Sequence, residues 1–244
     1  TAVCLGAGLT LTGRRVLMLD LAVSGNLTSA CGINQSRVRR STTDLFHHNH
    51  PPISLITPTA IHDLHIIPAH PSLYPVPQEL YQEPEYEQIL RRILANGDFL
   101  DYDIILIDCP PGTDPLAING MTCADLVILP IVCEYLAVQS LGSMLRLIKI
   151  ARERVNPDLQ HRLLLTKIDL RAKFHERFLA QIEDQYRDHL LNARIGVDVK
   201  IPESQLAGIP VQLYDSTARA SRQYRALSEE ISAIINQNVK SQTD

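Results

Sequence analysis

Two short apolar runs in this chain end in an aspartate. Val16-Leu-Met-Leu runs into Asp20, and DIILID closes at Asp108 and is followed at once by CPPGTD. In open α/β sheets, ligands bind beyond the carboxyl ends of the strands. A carboxylate fixed at such an end can hold the water shell of a divalent cation. A stiff Pro110-Pro111-Gly112 turn directly behind it can respond to a terminal phosphate. Nucleotide hydrolases hold magnesium in this way. D-x-P-P is a short signal, however, and Asp108 capping the turn or the next helix is an equal reading of these residues alone.

Other clusters invite chemistry less well. His47, His48 and His50, with His62, His65 and His70, could ligate a transition metal, but they fall in or beside a loop without thiols or paired acids. Solvated loop histidines are the expectation. Arg219, Arg222 and Arg225 share a helix face at a spacing of three, with Lys200 as a further basic residue, and a solvated face explains them as well as a ligand does. The five cysteines include no C-x-x-C pair, which fits reduced thiols and a cytoplasmic protein; Cys109 reads as a buried thiol. A formal net charge of -4 excludes a strongly basic nucleic-acid binder while permitting a local basic stripe. No apolar run reaches the roughly 18 residues of a membrane span.

The elements that must position these residues alternate. Apolar runs predict strands at 16–19, 64–68, 103–108, 126–132, 163–168 and 195–199. Val138, Leu141, Leu145 and Ile148 mark one helix. Phe174, Phe178, Ile182, Tyr186 and Leu190 mark a second, and Tyr224, Leu227, Ile231 and Ile234 a third. Ala2, Leu5 and Leu9 put an apolar face on an opening helix that Gly13 ends. Proline-rich 70–88 reads as a surface excursion before a helix near 85–96. DIILID and DLVILPIV are apolar on both faces, as parallel strands covered on each side are. The expectation is an α/β fold, a doubly wound, mostly parallel sheet with helices on both faces, in one domain over 1–236 with a polar tail at 237–244.

Six pieces, in order over nearly the whole chain, resemble the ParA/MinD group of partition and positioning ATPases, the ParA (Soj) branch most. They are TAVCLGAGLTLTGRRVLMLD, SGNLTSACGI, DLHIIPAH, YDIILIDCPPG with AINGMTCADLVILPIVCEYLAVQSL behind it, and GIPVQLYDSTARASRQYRALSEEI. The resemblance implies ATP and Mg²⁺ as cofactors, with Asp20 and Asp108 on the metal side. Pro110, Pro111 and Gly112 belong to the turn at the phosphates, and Thr166 and Lys167 to the base pocket. It also implies an ATP-dependent homodimer that binds DNA non-specifically, for which Arg219, Arg222 and Arg225 are the candidates, and a ParB-like or adaptor partner. No membrane role is implied, since the tail QNVKSQTD has no basic amphipathic face. An iron–sulfur carrier of the Mrp type would need a C-x-x-C pair.

Three departures qualify the match. In the family a first strand and the loop K-G-G-x-G-K-T-T precede the helix that begins near Thr1. None of those residues is in this chain, so a fragment of a longer protein is the favoured expectation, and loss of the triphosphate site the alternative. The family's D-x-D-P-Q-G reads DLAVSGN here, which leaves Ala22 where the resemblance places a water-positioning aspartate. IGVDVK stands where the branch has I-P-R-N-V-R, which weakens any base contact from Gly196 and Val197. The expected function is therefore a ParA-like partitioning or positioning ATPase with weakened hydrolysis. The alternative is a degenerate, non-hydrolysing binding module of the same fold.

Overall fold

The computed structural model describes residues 1–96, 99–169, 171 and 173–243. The chain runs through α1 (Ala2–Thr10), β1 (Val16–Asp20), α2 (Asn26–Ala30), α3 (Thr42–His47), β2 (Thr57–Pro58), β3 (Leu64–Ile67), α4 (Val76–Leu80) and α5 (Ile89–Leu94). It continues through β4 (Ile104–Asp108), α6 (Pro115–Cys123), β5 (Leu126–Val132), α7 (Tyr135–Arg154), β6 (Gln160–Ile168) and α8 (Lys173–Tyr186). It ends with β7 (Leu190–Gly196), α9 (Lys200–Leu206), α10 (Val211–Tyr214) and α11 (Arg219–Thr243). The mostly parallel α/β architecture agrees with the expectation from sequence.

The strands form two ladders, β2-β3-β1-β4 and β5-β6-β7, parallel throughout except for the short β2–β3 pair. Between β4 and β5 there is no ladder. Ile104 and Leu106 of β4, with Leu126 and Ile128 of β5, pack on the cluster built from α1 and α11. Ile105 and Ile107 turn to the other face, against Leu116 and the cluster of α3 to α5; Val127 and Leu129 turn to Ala117 and Met121 of α6. Helices thus cover both faces on each side of the break. Even so, β4 is only half-buried along its whole length, whereas β1 is buried at every residue. Half-burial under two helix layers is what an unpaired strand edge produces.

Helix α1 is apolar all round, as a helix must be when it is packed between layers. Every residue from Val3 to Leu9 is buried, not only the face marked by Ala2, Leu5 and Leu9. Two glycines permit this. A Cβ on Gly6 would stand 3.0 Å from Leu64 Cδ1 of the sheet, and one on Gly8 would stand 1.9 Å from Ser228 Oγ of α11.

Several boundaries differ from those read off the sequence. The last strand is Leu190–Gly196, not 195–199, because Leu190 pairs with Leu163 and so leaves the helix to which its spacing assigned it. Val197 donates its N–H to Ile168 O, and Asp198 Oδ1 accepts from Lys200 N, which turns 197–199 into the start of α9. The helix near 85–96 is a 3₁₀ turn at Tyr86–Gln88 followed by α5. The proline-rich stretch is more than a surface excursion, since Leu73, Val76 and Leu80 are core residues. Helix α11 runs on to Thr243, through the stretch set apart as a polar tail, and Asp244 lies outside the described residues. Leu141, Ile148, Phe178 and Ile182 are buried as their spacing predicts; the side chains of Val138 and Phe174 lie outside the described ones.

Overpacking a filled site costs about 1–3 kcal/mol. Gly8→Val should therefore lower Tm by roughly 2–12 °C at about 2–4 °C per kcal/mol. A Cβ on Gly142 of α7 meets nothing within 4 Å, so Gly142→Ala should raise Tm slightly. Differential scanning fluorimetry of the two variants checks both signs.

Candidate functional site

The parallel register of β1 and β4 sets Asp20 directly beside Asp108 at the carboxyl ends of adjacent strands. Asp20 is fully buried and well held. Thr28 Oγ1 and Thr28 N donate to its Oδ2 at 2.6 and 2.8 Å, and Ala22 N donates to Oδ1 at 3.2 Å. Thr28 Oγ1 in turn accepts from Ala69 N at 2.9 Å, and Thr42 Oγ1 donates to the Asp20 carbonyl at 2.9 Å. The loop from β1 into α2, the end of β3 and the start of α3 are therefore all tied to one aspartate.

Asp108 is held differently. Its carbonyl accepts from Leu21 N at 2.9 Å, but among the described residues nothing hydrogen-bonds its carboxylate. Burial pushes the Asp108 carboxyl above the usual range, and the neighbouring Asp20 pushes it further. Burial also raises Asp20, against the lowering effect of the Thr28 bonds. Two adjacent carboxylates, one unpartnered and both resisting ionisation, are a donor set that a hydrated divalent cation would complete. Asp108 does not cap the following helix. Asp114 does, accepting from Leu116 N at 2.8 Å. Pro110, Pro111 and the left-handed Gly112 (φ +85°) form the turn between them.

Cys109 is exposed just past the open β4 edge, although its thiol lies against Gly120 and is pushed above the ordinary thiol range by burial.

The remaining sequence candidates stand elsewhere. Thr166 and Lys167 end β6, in the other ladder and across the break. Thr166 Oγ1 donates to Ile131 O at 3.1 Å, so its hydroxyl proton ties β6 to β5. Lys167 is exposed and has φ +53°, a conformation that costs a non-glycine residue energy and clusters at ligand sites. Arg219 is spent within the fold, its guanidinium donating to Val197 O. Arg222 and Arg225 are exposed on α11 with no ion pair among the described residues, while Lys200 pairs with Glu203 at 2.8 Å. His47 pairs with Glu79, His62 with Asp63, and His70 accepts from Ser72 N. No cluster of three possible metal-ligating side chains occurs among the described residues.

Sequence reasoning missed Thr28 as the clamp on Asp20. Its only signal was a place in SGNLTSACGI, where nothing marks a threonine as the partner of an aspartate eight residues earlier.

A family model described as an AAA domain matches residues 1–161. The chain is 33% identical to the sporulation initiation inhibitor protein Soj of Bacillus subtilis, over 96% of this chain and 92% of Soj. It is 33% identical to the chromosome partitioning protein ParA of Caulobacter vibrioides, over 95% of this chain and 87% of that protein. Among solved structures, cobyrinic acid a,c-diamide synthase of Mycobacterium smegmatis with bound ATP analogue and magnesium superposes with a TM-score of 0.70 at 33% identity. The match covers 76% of this chain and 75% of that one.

An unpartnered, half-buried carboxylate that resists ionisation destabilises a fold that lacks its cation. A folded-state pKa raised above the unfolded value means that the cost of ionisation is present at neutral pH. It disappears as pH falls and both states protonate. In magnesium-free buffer at pH 7, Asp108→Asn should therefore raise stability, on the order of 1 kcal/mol. That gain should shrink as pH falls through the raised folded-state range and be gone below about 4, the ordinary carboxylate range. Thermal melts at several pH values check it, and a lower Tm at pH 7 would mean that Asp108 holds the fold together.

Proposed function

The chain belongs to the ParA/MinD family, and we propose that it is a partitioning or positioning ATPase whose ligands are ATP and Mg²⁺. The observation that carries this reading is the register pair Asp20–Asp108 with the Pro110–Gly112 turn behind it. Soj and ParA match nearly all of this chain. A further structure of the synthase covers 93% of this chain but at 28% identity, below Soj and ParA, so the activity in its name is the weaker guide.

Asp108, with both carboxylate oxygens uncommitted, is the residue to hold magnesium through water, with Asp20 beside it contributing charge. A magnesium ion held there would supply charge neutralisation to the phosphates. The chain's own residues position the two carboxylates, set the turn at the phosphates and keep the strand ends dry. The phosphates themselves need backbone amides and a lysine from a glycine-rich loop. We place that loop, with the family's first strand, in the break between β4 and β5, where a parallel strand would pair both open edges.

In this reading ATP closes a homodimer, the dimer binds DNA backbone without sequence preference, and a ParB-like or adaptor protein triggers release, all in the cytoplasm. Arg222 and Arg225 are the DNA contacts, and Arg219 braces the β7–α9 turn. Among the described residues no helix is long and apolar enough to cross a membrane. A second reading, a module that binds nucleotide without turnover, is favoured by one observation. Ala22 has no polar side chain, its N–H is given to Asp20, and its carbonyl accepts from Gly25 N.

Two experiments test the proposal on the full-length protein with its phosphate loop. By calorimetry, Mg²⁺ should tighten ATP binding at least about tenfold, about 1.4 kcal/mol, and Asp108→Asn should remove that gain. Equal affinities with and without Mg²⁺ in the parent would refute the assignment. In the ATP-bound state, Arg222→Glu with Arg225→Glu should weaken DNA binding for all sequences alike. The log–log salt slope should fall by about one for each phosphate no longer neutralised by an arginine. Unchanged binding would place DNA on another surface.

A further inference from the structure

Residue 22 has no carboxylate to orient water, yet a different side chain is packed onto the same loop. The turn after β1 is closed by Gly25 N donating to Ala22 O at 2.9 Å, and Gly25, left-handed at φ +57°, starts α2. Against its Cα lies the carboxamide of Gln35. A Cβ on Gly25 would stand 1.6 Å from Gln35 Nε2 and 2.4 Å from its Cδ. A side chain at residue 25 would displace that amide, and the left-handed backbone there favours glycine.

Gln35 is placed from outside the loop. It opens the 3₁₀ turn Gln35–Arg37, which Asn34 caps by accepting from Ser36 N at 3.0 Å. Its Nε2 is buried and has no hydrogen-bond partner in the structure. An amide N–H withdrawn from water without an acceptor is costly, so such a group calls for an explanation. Three residues beyond Gly25, the same loop holds Asp20 through Thr28, and Asp20 adjoins Asp108. A buried, unsatisfied donor thus lies against Gly25, one helical turn before the Thr28 that holds Asp20, on a loop whose own water-positioning place is an alanine.

We propose that Gln35 orients the attacking water in this protein, in place of the carboxylate that residue 22 lacks; the inference rests on the ATPase reading. A carboxamide donates and accepts at once, so it can hold a water by Nε2–H and by Oε1 together, a role that glutamine serves in other phosphoryl transfers. It is not a base. The water oxygen forms the new bond to the terminal phosphorus, and the bond to the bridging oxygen breaks with its electron pair leaving on ADP. The water's proton passes to a phosphate oxygen. The orphan donor then gains its acceptor only when nucleotide and water are in place.

Single-turnover hydrolysis under saturating Mg²⁺–ATP, with DNA present, tests this in the full-length protein. Gln35→Met, which keeps the side chain's bulk, and Gln35→Ala should each slow hydrolysis at least about tenfold while ATP affinity stays within about threefold, since water-orienting groups contribute roughly 10²–10⁴ in rate. Adding Ala22→Asp to Gln35→Met should restore most of the lost rate, which a merely structural glutamine could not explain. Unchanged turnover in Gln35→Met, or a slowing that Ala22→Asp does not rescue, overturns the proposal and leaves the ATPase reading standing. A parent that binds ATP but turns none over also overturns it. A parent with no Mg²⁺–ATP affinity overturns the ATPase reading and this proposal together.

Discussion

The in-register pairing of two parallel strands that end in aspartate is the constraint on which the site depends. Side-by-side carboxylates at a buried sheet end repel each other, and each resists ionisation for want of solvent. The fold meets this unequally. Thr28 and Ala22 donate three hydrogen bonds to Asp20, while Asp108 is left with none among the described residues. That asymmetry divides the roles, with one carboxylate fixing the loop and the other open to a ligand. The cost of the open carboxylate is the kind that functional sites retain because a bound cation offsets it.

Around this pair the layers are drawn tight by small residues. Gly6 lets α1 rest on β1, β3 and β4, and Gly8 lets α11 rest on α1. A helix packed this closely on both sides fixes β1 and β4 relative to the C-terminal half, because α11 also covers Leu191, Ala193 and Ile195 of β7. The two ladders are therefore joined through helices on both faces although no strand joins them. The break between β4 and β5 has a covered roof and floor and two open edges, and it opens beside Asp108 and the turn that follows. A strand inserted there would deliver its succeeding loop beside Asp20 and Asp108.

The basic side chains of the C-terminal region show how tertiary context sorts residues that look alike. Arg219, Arg222 and Arg225 are equivalent by spacing. Arg219 alone reaches the Val197 carbonyl and locks the turn where β7 passes into α9. Lys200, a fourth basic candidate, is drawn to Glu203 and lies over the Tyr214 ring at 5.7 Å. Of the four, Arg222 and Arg225 on α11 are the ones exposed without an ion pair among the described residues.

The alternation of apolar runs and helical spacings in the sequence determined the α/β class and the two aspartates at strand ends. It did so because buried parallel strands are apolar on both faces and a terminal acid interrupts that pattern visibly. The order of six matching pieces determined the family. Local patterns did not reach what depends on partners distant in the chain. Leu190 fits a helix by spacing but joins β7, since pairing with Leu163 satisfies its backbone. Asp108 could have been a cap until Asp114 took that place. The register that makes Asp20 and Asp108 neighbours, the Thr28 clamp, the Gln35 amide lodged on Gly25 and the open edges of β4 and β5 were decided only in three dimensions. Each is a contact between segments whose separate sequences carry no mark of the other.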